Sequence, residues 1–101
     1  INCQVANSNI GFRIYGDTPT NNFGTSTTLI GCYGIGIINT CYQIESMIYS
    51  SIVDCACDSS GLNTDGTISG DYIYDIINSR NISINNCGIE ICPLLMQSNL
   101  L

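Results

Sequence analysis

Residues 1–14, INCQVANSNIGFRI, open on an aliphatic residue, a small or polar residue and Cys, a step that returns three times further along the chain. The recurrences are Ile30-Gly31-Cys32, Val53-Asp54-Cys55 and, with one extra residue, Ile84-Asn85-Asn86-Cys87. Their cysteines lie 29, 23 and 32 positions apart. Such spacings imply a basic period near 23 residues, with about 6 and about 9 residues inserted in the longer intervals. Polar, Gly/Pro/Asn-rich stretches mark the insertions, at about 16–26 (containing Asp17-Thr18-Pro19-Thr20-Asn21-Asn22) and 58–71 (DSSGLNTDGTISGD).

The vocabulary between these points is that of short strands. Of the 101 residues, 18 are Ile and only 6 are Leu, while Asn, Ser, Gly and Thr together contribute 41. Isoleucine is stiff at χ1 and packs well on a pleated surface, whereas Asn and Gly accept the left-handed backbone of tight bends. Alternations such as Ile82-Ser83-Ile84 and Ile89-Glu90-Ile91 flank the Asn85-Asn86 bend. Strands of three to five residues are too short for a conventional sandwich. They suit a chain that winds so that each turn stacks on the last, equivalent residues lying about 4.8 Å apart. Ile would then stack on Ile and Cys on Cys inside, with Asn at the corners. An irregular all-β domain and a disulfide-rich miniprotein are the competing architectures. The odd count of 7 cysteines argues against the second, because one chain cannot pair them all.

Residues 1–14 and 84–92 (INNCGIEIC) resemble coils of a right-handed parallel β-helix of the pectate-lyase-like class. That class commonly shows an aliphatic-Asn-Cys step followed by an Asn-Ser-x-x-Gly corner. The resemblance implies an all-β solenoid segment with residues 1–92 as stacked coils and 93–101 as a C-terminal cap or interface tail. The apolar tail Pro93-Leu94-Leu95-Met96 with Leu100-Leu101 fits either role. The Ile/Asn/Tyr-rich vocabulary is similar to that of phage tailspikes and capsule depolymerases. Such a relationship implies a virion-surface or extracellular setting, a polysaccharide partner, and a homotrimer or neighbouring coils of a longer chain. Solenoids without a ligand site, serving as spacers or oligomerisation modules, carry the same signature.

Charge narrows the chemistry. Eight acidic residues face two arginines, with no Lys and no His, giving a net charge of −6. Nucleic-acid binding needs a Lys/Arg cluster, and none exists. No apolar run approaches the roughly 18 residues of a membrane span. Serine and cysteine nucleophile mechanisms lack a histidine base, and proton abstraction by lyase chemistry would fall to Arg13 or Arg80, which seldom lose a proton. The cysteines suit no zinc motif; buried free thiols are the simplest reading, with one or two disulfides open. No cofactor and no metal site is assigned.

Carboxylates carry what remains. Asp58 and Glu90 each stand three residues after a repeated cysteine, Cys55 and Cys87. Strand alternation turns both outward, so in adjacent coils they would sit roughly 5 Å apart. That is the separation of a retaining glycosidase pair, and we take Asp58 and Glu90 as the candidate catalytic residues. Two other readings of the pair stay open: a calcium site and plain surface charge. The stretch Asn63–Ile68 partly resembles a calcium-binding loop but lacks its first and twelfth ligands, with Gly61 and Tyr72 in those places. Tyr72, Tyr74 and Asp71 are the candidate substrate-binding residues. The two tyrosines share strand parity beside the Asp-rich loop and could stack on sugar faces.

Overall fold

The computed structural model describes residues 1–16, 23–90, 92 and 96–100, the last stretch as backbone only. The described residues form an all-β fold of thirteen short strands with no helix. Sheet 1 has the order β1 (Gln4–Ala6), β5 (Tyr33–Ile35), β9 (Ala56–Asp58), β12 (Gly88–Glu90). Sheet 2 has the order β2 (Ile10–Tyr15), β6 (Thr40–Glu45), β10 (Tyr74–Ser79), β13 (Met96–Leu100). Sheet 3 joins β4 (Thr28–Ile30), β8 (Ser51–Val53) and β11 (Ser83–Asn85), and a ribbon joins β3 (Gly24–Thr25) to β7 (Met47–Ile48). Every strand pair is parallel.

Register carries the repeat. Gln4 pairs with Tyr33, Tyr33 with Ala56 and Ala56 with Gly88, so the offsets are 29, 23 and 32, those of the cysteines that precede these residues. Cys3, Cys32, Cys55 and Cys87 therefore occupy one column. Ahead of each lies a residue with positive φ: Asn2 (55°), Gly31 (63°), Asp54 (53°) and Asn86 (52°). One αL residue bends the chain sharply within a single position, which is why Asn and Gly recur there. Asn85 pairs with Val53, and Ile84 with Ile52. The fourth motif thus has no extra residue, contrary to the sequence reading: Asn85 stands in the aliphatic position of Ile30 and Val53.

The inserted segments are narrower than expected. Tyr15 pairs with Glu45 and Gly24 with Met47, so the first excess falls between Tyr15 and Gly24, and Gly24–Thr25 is strand. Residues 17–22 lie outside the described ones. In the second, Asp58 belongs to β9 and Gly61 N–H donates to Ile37 O, so the register persists through Ser60 and the excess follows Gly61. Of the tail, Met96–Leu100 add a fourth strand to sheet 2 beside β10, while 93–95 and 101 lie outside the described residues.

The interior is built of columns. Phe12, Tyr42 and Tyr74 stack face to face at centroid spacings of 5.3 and 5.2 Å. Ile14, Ile44 and Ile76 share a register row in sheet 2, and Leu29, Ile52 and Ile84 one in sheet 3. Each fully buried member of such a column contributes about 1.5–3 kcal/mol of hydrophobic transfer. All seven cysteines are free, and Cys32, Cys41, Cys55 and Cys57 are buried.

Candidate functional site

Sheet 1 presents the site. Alternation in β9 sends Cys57 inward and Ala56 and Asp58 outward; in β12 it turns Gly88 and Glu90 the same way. Glu90 is the direct register partner of Asp58, so the two carboxylate-bearing residues are neighbours on one outer face. The strand spacing puts their Cα atoms about 4.8 Å apart. One strand earlier, Tyr33 of β5 donates its hydroxyl to Asp58 Oδ2 at 3.2 Å, and Ser59 Oγ donates to Asp58 Oδ1 at 2.9 Å. Loss of water around the phenol, then the nearby negative charge of Asp58, holds the Tyr33 hydroxyl above its ordinary value.

Tyr33, Asp58, Gly88, Ile89 and Glu90 line a shallow concavity of about 160 Å³. A second, of about 380 Å³, lies at the bend that leaves sheet 1, lined by Asn7, Gly36, Ser59 and the loop residues Leu62, Asn63 and Thr64. Asn7, Gly36 and Ser59 are the αL residues of successive bends, so the floor of this groove is a repeated backbone feature. Its wall is the second inserted segment. Ser59 lies next to Asp58 in the chain, so the two concavities adjoin.

Of the residues singled out from sequence, Asp58 and Glu90 are brought together. Asp71 is exposed and Tyr72 half-buried, and neither is among the residues lining the two concavities. Tyr74 is a correction. It is 3% exposed, stacked on Tyr42, with its hydroxyl directed to Gly88 O at 3.4 Å, so no sugar can reach its face. The shared parity of Tyr72 and Tyr74 fails because β10 begins only at Tyr74, after an irregular approach in which Ile73 is also fully buried. The loop resembling a calcium site is a turn closed on itself. Asp65 Oδ1 accepts from Thr67 N at 3.0 Å and Thr67 Oγ1 at 2.6 Å, and these two bonds hold its carboxyl below the usual range. Among the described residues no group of three or more His, Cys, Asp or Glu could hold a metal ion.

Sequence reasoning counted Tyr33 among the six candidate tyrosines but did not place it beside the acid pair. The signal was available: it follows Cys32 by one, as Ala56 follows Cys55, so it faces outward one register step before Ala56. The remaining exposed charges are elsewhere. Arg13 on β2 bonds Glu45 Oε2 at 2.8 Å and lies 4.4 Å from the Tyr15 ring centre, on the outer face of sheet 2. No described helix is long and apolar enough to cross a membrane. Comparison of the chain with protein-family models, curated proteins and solved structures finds no match in any of the three.

Proposed function

We propose that the chain winds as a segment of a right-handed parallel β-helix and binds a polysaccharide along the outer face of sheet 1. The winding accounts for three things at once: all-parallel pairing, an offset of 22 or 23 residues between β3, β4, β5 or β10 and its following partner, and αL residues recurring in register at the bends. Binding rests on one observation, the register pair Asp58–Glu90 with the Tyr33 hydroxyl on Asp58, opening into the groove under the 62–66 loop. Carboxylates accept hydrogen bonds from vicinal sugar hydroxyls, and a half-buried phenol offers an apolar face beside them. In this reading the chain belongs to a tailspike-like surface protein, and neighbouring coils or partner chains cover the outer edges of β1 and β12. The spacing of the acid pair suits a retaining hydrolysis, with Asp58 and Glu90 as its two carboxylates.

A structural spacer is the second reading. It is favoured by Asp58 having both oxygens engaged within the chain, by Tyr33 and Ser59. An oligosaccharide array separates the two. Retention of an acidic or neutral glycan by the wild type, lost in Asp58→Asn/Glu90→Gln at unchanged melting temperature, supports binding. Release of new reducing ends from the retained glycan adds hydrolysis. Retention of no glycan by a chain that melts normally overturns the binding proposal in favour of the spacer.

A further inference from the structure

Behind the acidic ledge lies a cluster of three thiols that no glycan-binding role requires. Cys57 of β9 points inward beneath Asp58, and its register neighbour in β5 is Gly34. A Cβ at Gly34 would strike the Cys41 sulfur, so that sulfur fills the room the glycine leaves, beside Cys57. On the other side, Cys92 directs its thiol to the Cys57 carbonyl at 3.9 Å and to the Glu90 carbonyl at 3.3 Å. Cys57 is thus flanked by the Cys41 sulfur, in the room left by its register partner Gly34, and by the Cys92 thiol at its own carbonyl. The partners differ in access: Cys41 is 0% exposed, whereas Cys92 is half-buried.

We propose that Cys57 and Cys92 form an oxidisable dithiol that hydrogen peroxide converts to a disulfide, pinning β12 to β9 directly behind Asp58 and Glu90. Peroxide is little larger than water and enters on the Cys92 side. The Cys57 sulfur attacks one peroxide oxygen, the O–O bond breaks, and sulfenic acid and one water result. The Cys92 sulfur then attacks the Cys57 sulfur, the S–OH bond breaks, and the hydroxyl leaves with the Cys92 proton as a second water. Two thiols are oxidised and one peroxide is reduced. Cys57 is suited to the first step because the neighbouring Cys41 thiol holds its own thiol below the ordinary value against the opposing effect of burial. The column cysteines lack this combination. Cys32 and Cys55 are both closed to solvent, and the thiols of Cys3, Cys32, Cys55 and Cys87 each donate to the carbonyl two residues back.

The test is a thiol map of the whole chain. Protein treated with graded hydrogen peroxide is unfolded in urea, alkylated, digested and weighed. The expected product is a cross-linked peptide pair containing Cys57 and Cys92, lighter by two hydrogens and lost on reduction, with Cys41 fully alkylated. In Cys92→Ser the bond is absent and dimedone traps Cys57 as sulfenic acid. That variant keeps a serine where the equivalent bend residue in the preceding pass is Ser60, and a second variant, Cys41→Ala, retains the cross-link while slowing its formation. Full alkylation of both Cys57 and Cys92 after peroxide, or a bond that joins any other pair, overturns the proposal. Neither result depends on what the ledge binds.

Discussion

The bend that enters sheet 1 and the bends that leave sheets 1 and 2 share a backbone shape and differ in the atom that secures it. At the entering bends, and at those leaving bends where Ile37 and Met47 do not take the place, the bend is followed by a side chain that donates back to the carbonyl preceding it. Entering sheet 1, that side chain is a thiol in every pass: Cys32 to Ile30 O at 3.6 Å, Cys55 to Val53 O at 3.3 Å, Cys87 to Asn85 O at 3.3 Å. Leaving sheet 1 and sheet 2 it is a hydroxyl at Ser60 (to Asp58 O at 2.9 Å) and Ser79 (to Ile77 O at 2.8 Å), and a thiol only at Cys92 (to Glu90 O at 3.3 Å) among the described residues. The same atom accepts an N–H from the neighbouring pass. Cys55 Sγ receives Cys32 N at 3.4 Å, Ser60 Oγ receives Ile37 N at 2.9 Å, and Ser79 Oγ receives Met47 N at 3.0 Å. Sulfur is the weaker donor and acceptor. The thiol bend has an additional brace: the Tyr42 hydroxyl sits between Cys32 O (3.0 Å) and Ala56 O (2.6 Å). The comparison teaches that a bend needs its inward polar atom, and that a weak one suffices where a tyrosine shares the load.

Removing the brace by ionisation should have the largest effect. Burial, followed by the neighbouring thiols, raises the hydroxyls of Tyr42 and Tyr74 well above the ordinary tyrosine value. Both are acids whose folded values exceed their unfolded ones. Below about pH 10 neither state has released these protons and stability is intact; above it the unfolded chain gives them up while the folded chain retains them. Stability therefore falls steeply once pH passes 10, and the fold is lost before Tyr42 and Tyr74 ionise. Ultraviolet titration should show these two tyrosines appearing in step with the loss of β-type circular dichroism. A fold that stays intact while all 6 tyrosines titrate would contradict the brace.

Next come the hydroxyl bends. Ser60→Ala leaves the Ile37 N–H without its acceptor, and Ser79→Ala does the same to Met47, at fully buried positions. Each should cost about 1–3 kcal/mol, the penalty of a stranded buried N–H. Urea denaturation reads it, and Ser60→Cys should recover part of the loss by supplying a thiol at the same place. Equal stability of Ser60→Ala and the wild type would show that the bend does not need the polar atom.

The contrast between bends also explains what was legible in the chain. Cysteine is rare enough that four occurrences at one place stand out, and counting from them brought Asp58 opposite Glu90. The serine bends gave no such signal. Ser60 has Ile37 beside it and Ser79 has Met47, because one polar atom serves two passes, so serine does not recur at successive steps. The αL positions were readable where Asn or Gly fills them, and silent at Ser46, Tyr49 and Ser59. Tyr74 was misread for a related reason. Parity extends only as far as a strand does, and the backbone ahead of β10 resets it.

The smallest effect distinguishes chemistry from shape at the thiol bend. In Cys55→Ser the hydroxyl keeps all of the sulfur's partners: Val53 O and Leu29 O to donate to, and Cys32 N–H to accept from. Oxygen forms these bonds more strongly but at shorter range, so the surrounding atoms must close in by a few tenths of an ångström, and the apolar contact of sulfur is lost. The two changes oppose each other, and the net shift should stay within about 1 kcal/mol, smaller than that of Cys55→Ala, which removes contact and hydrogen bonds together. Thermal melts of the two variants side by side decide it. If serine proves as damaging as alanine, the column of cysteines is there for its volume, and the parallel between the two kinds of bend is one of backbone shape alone.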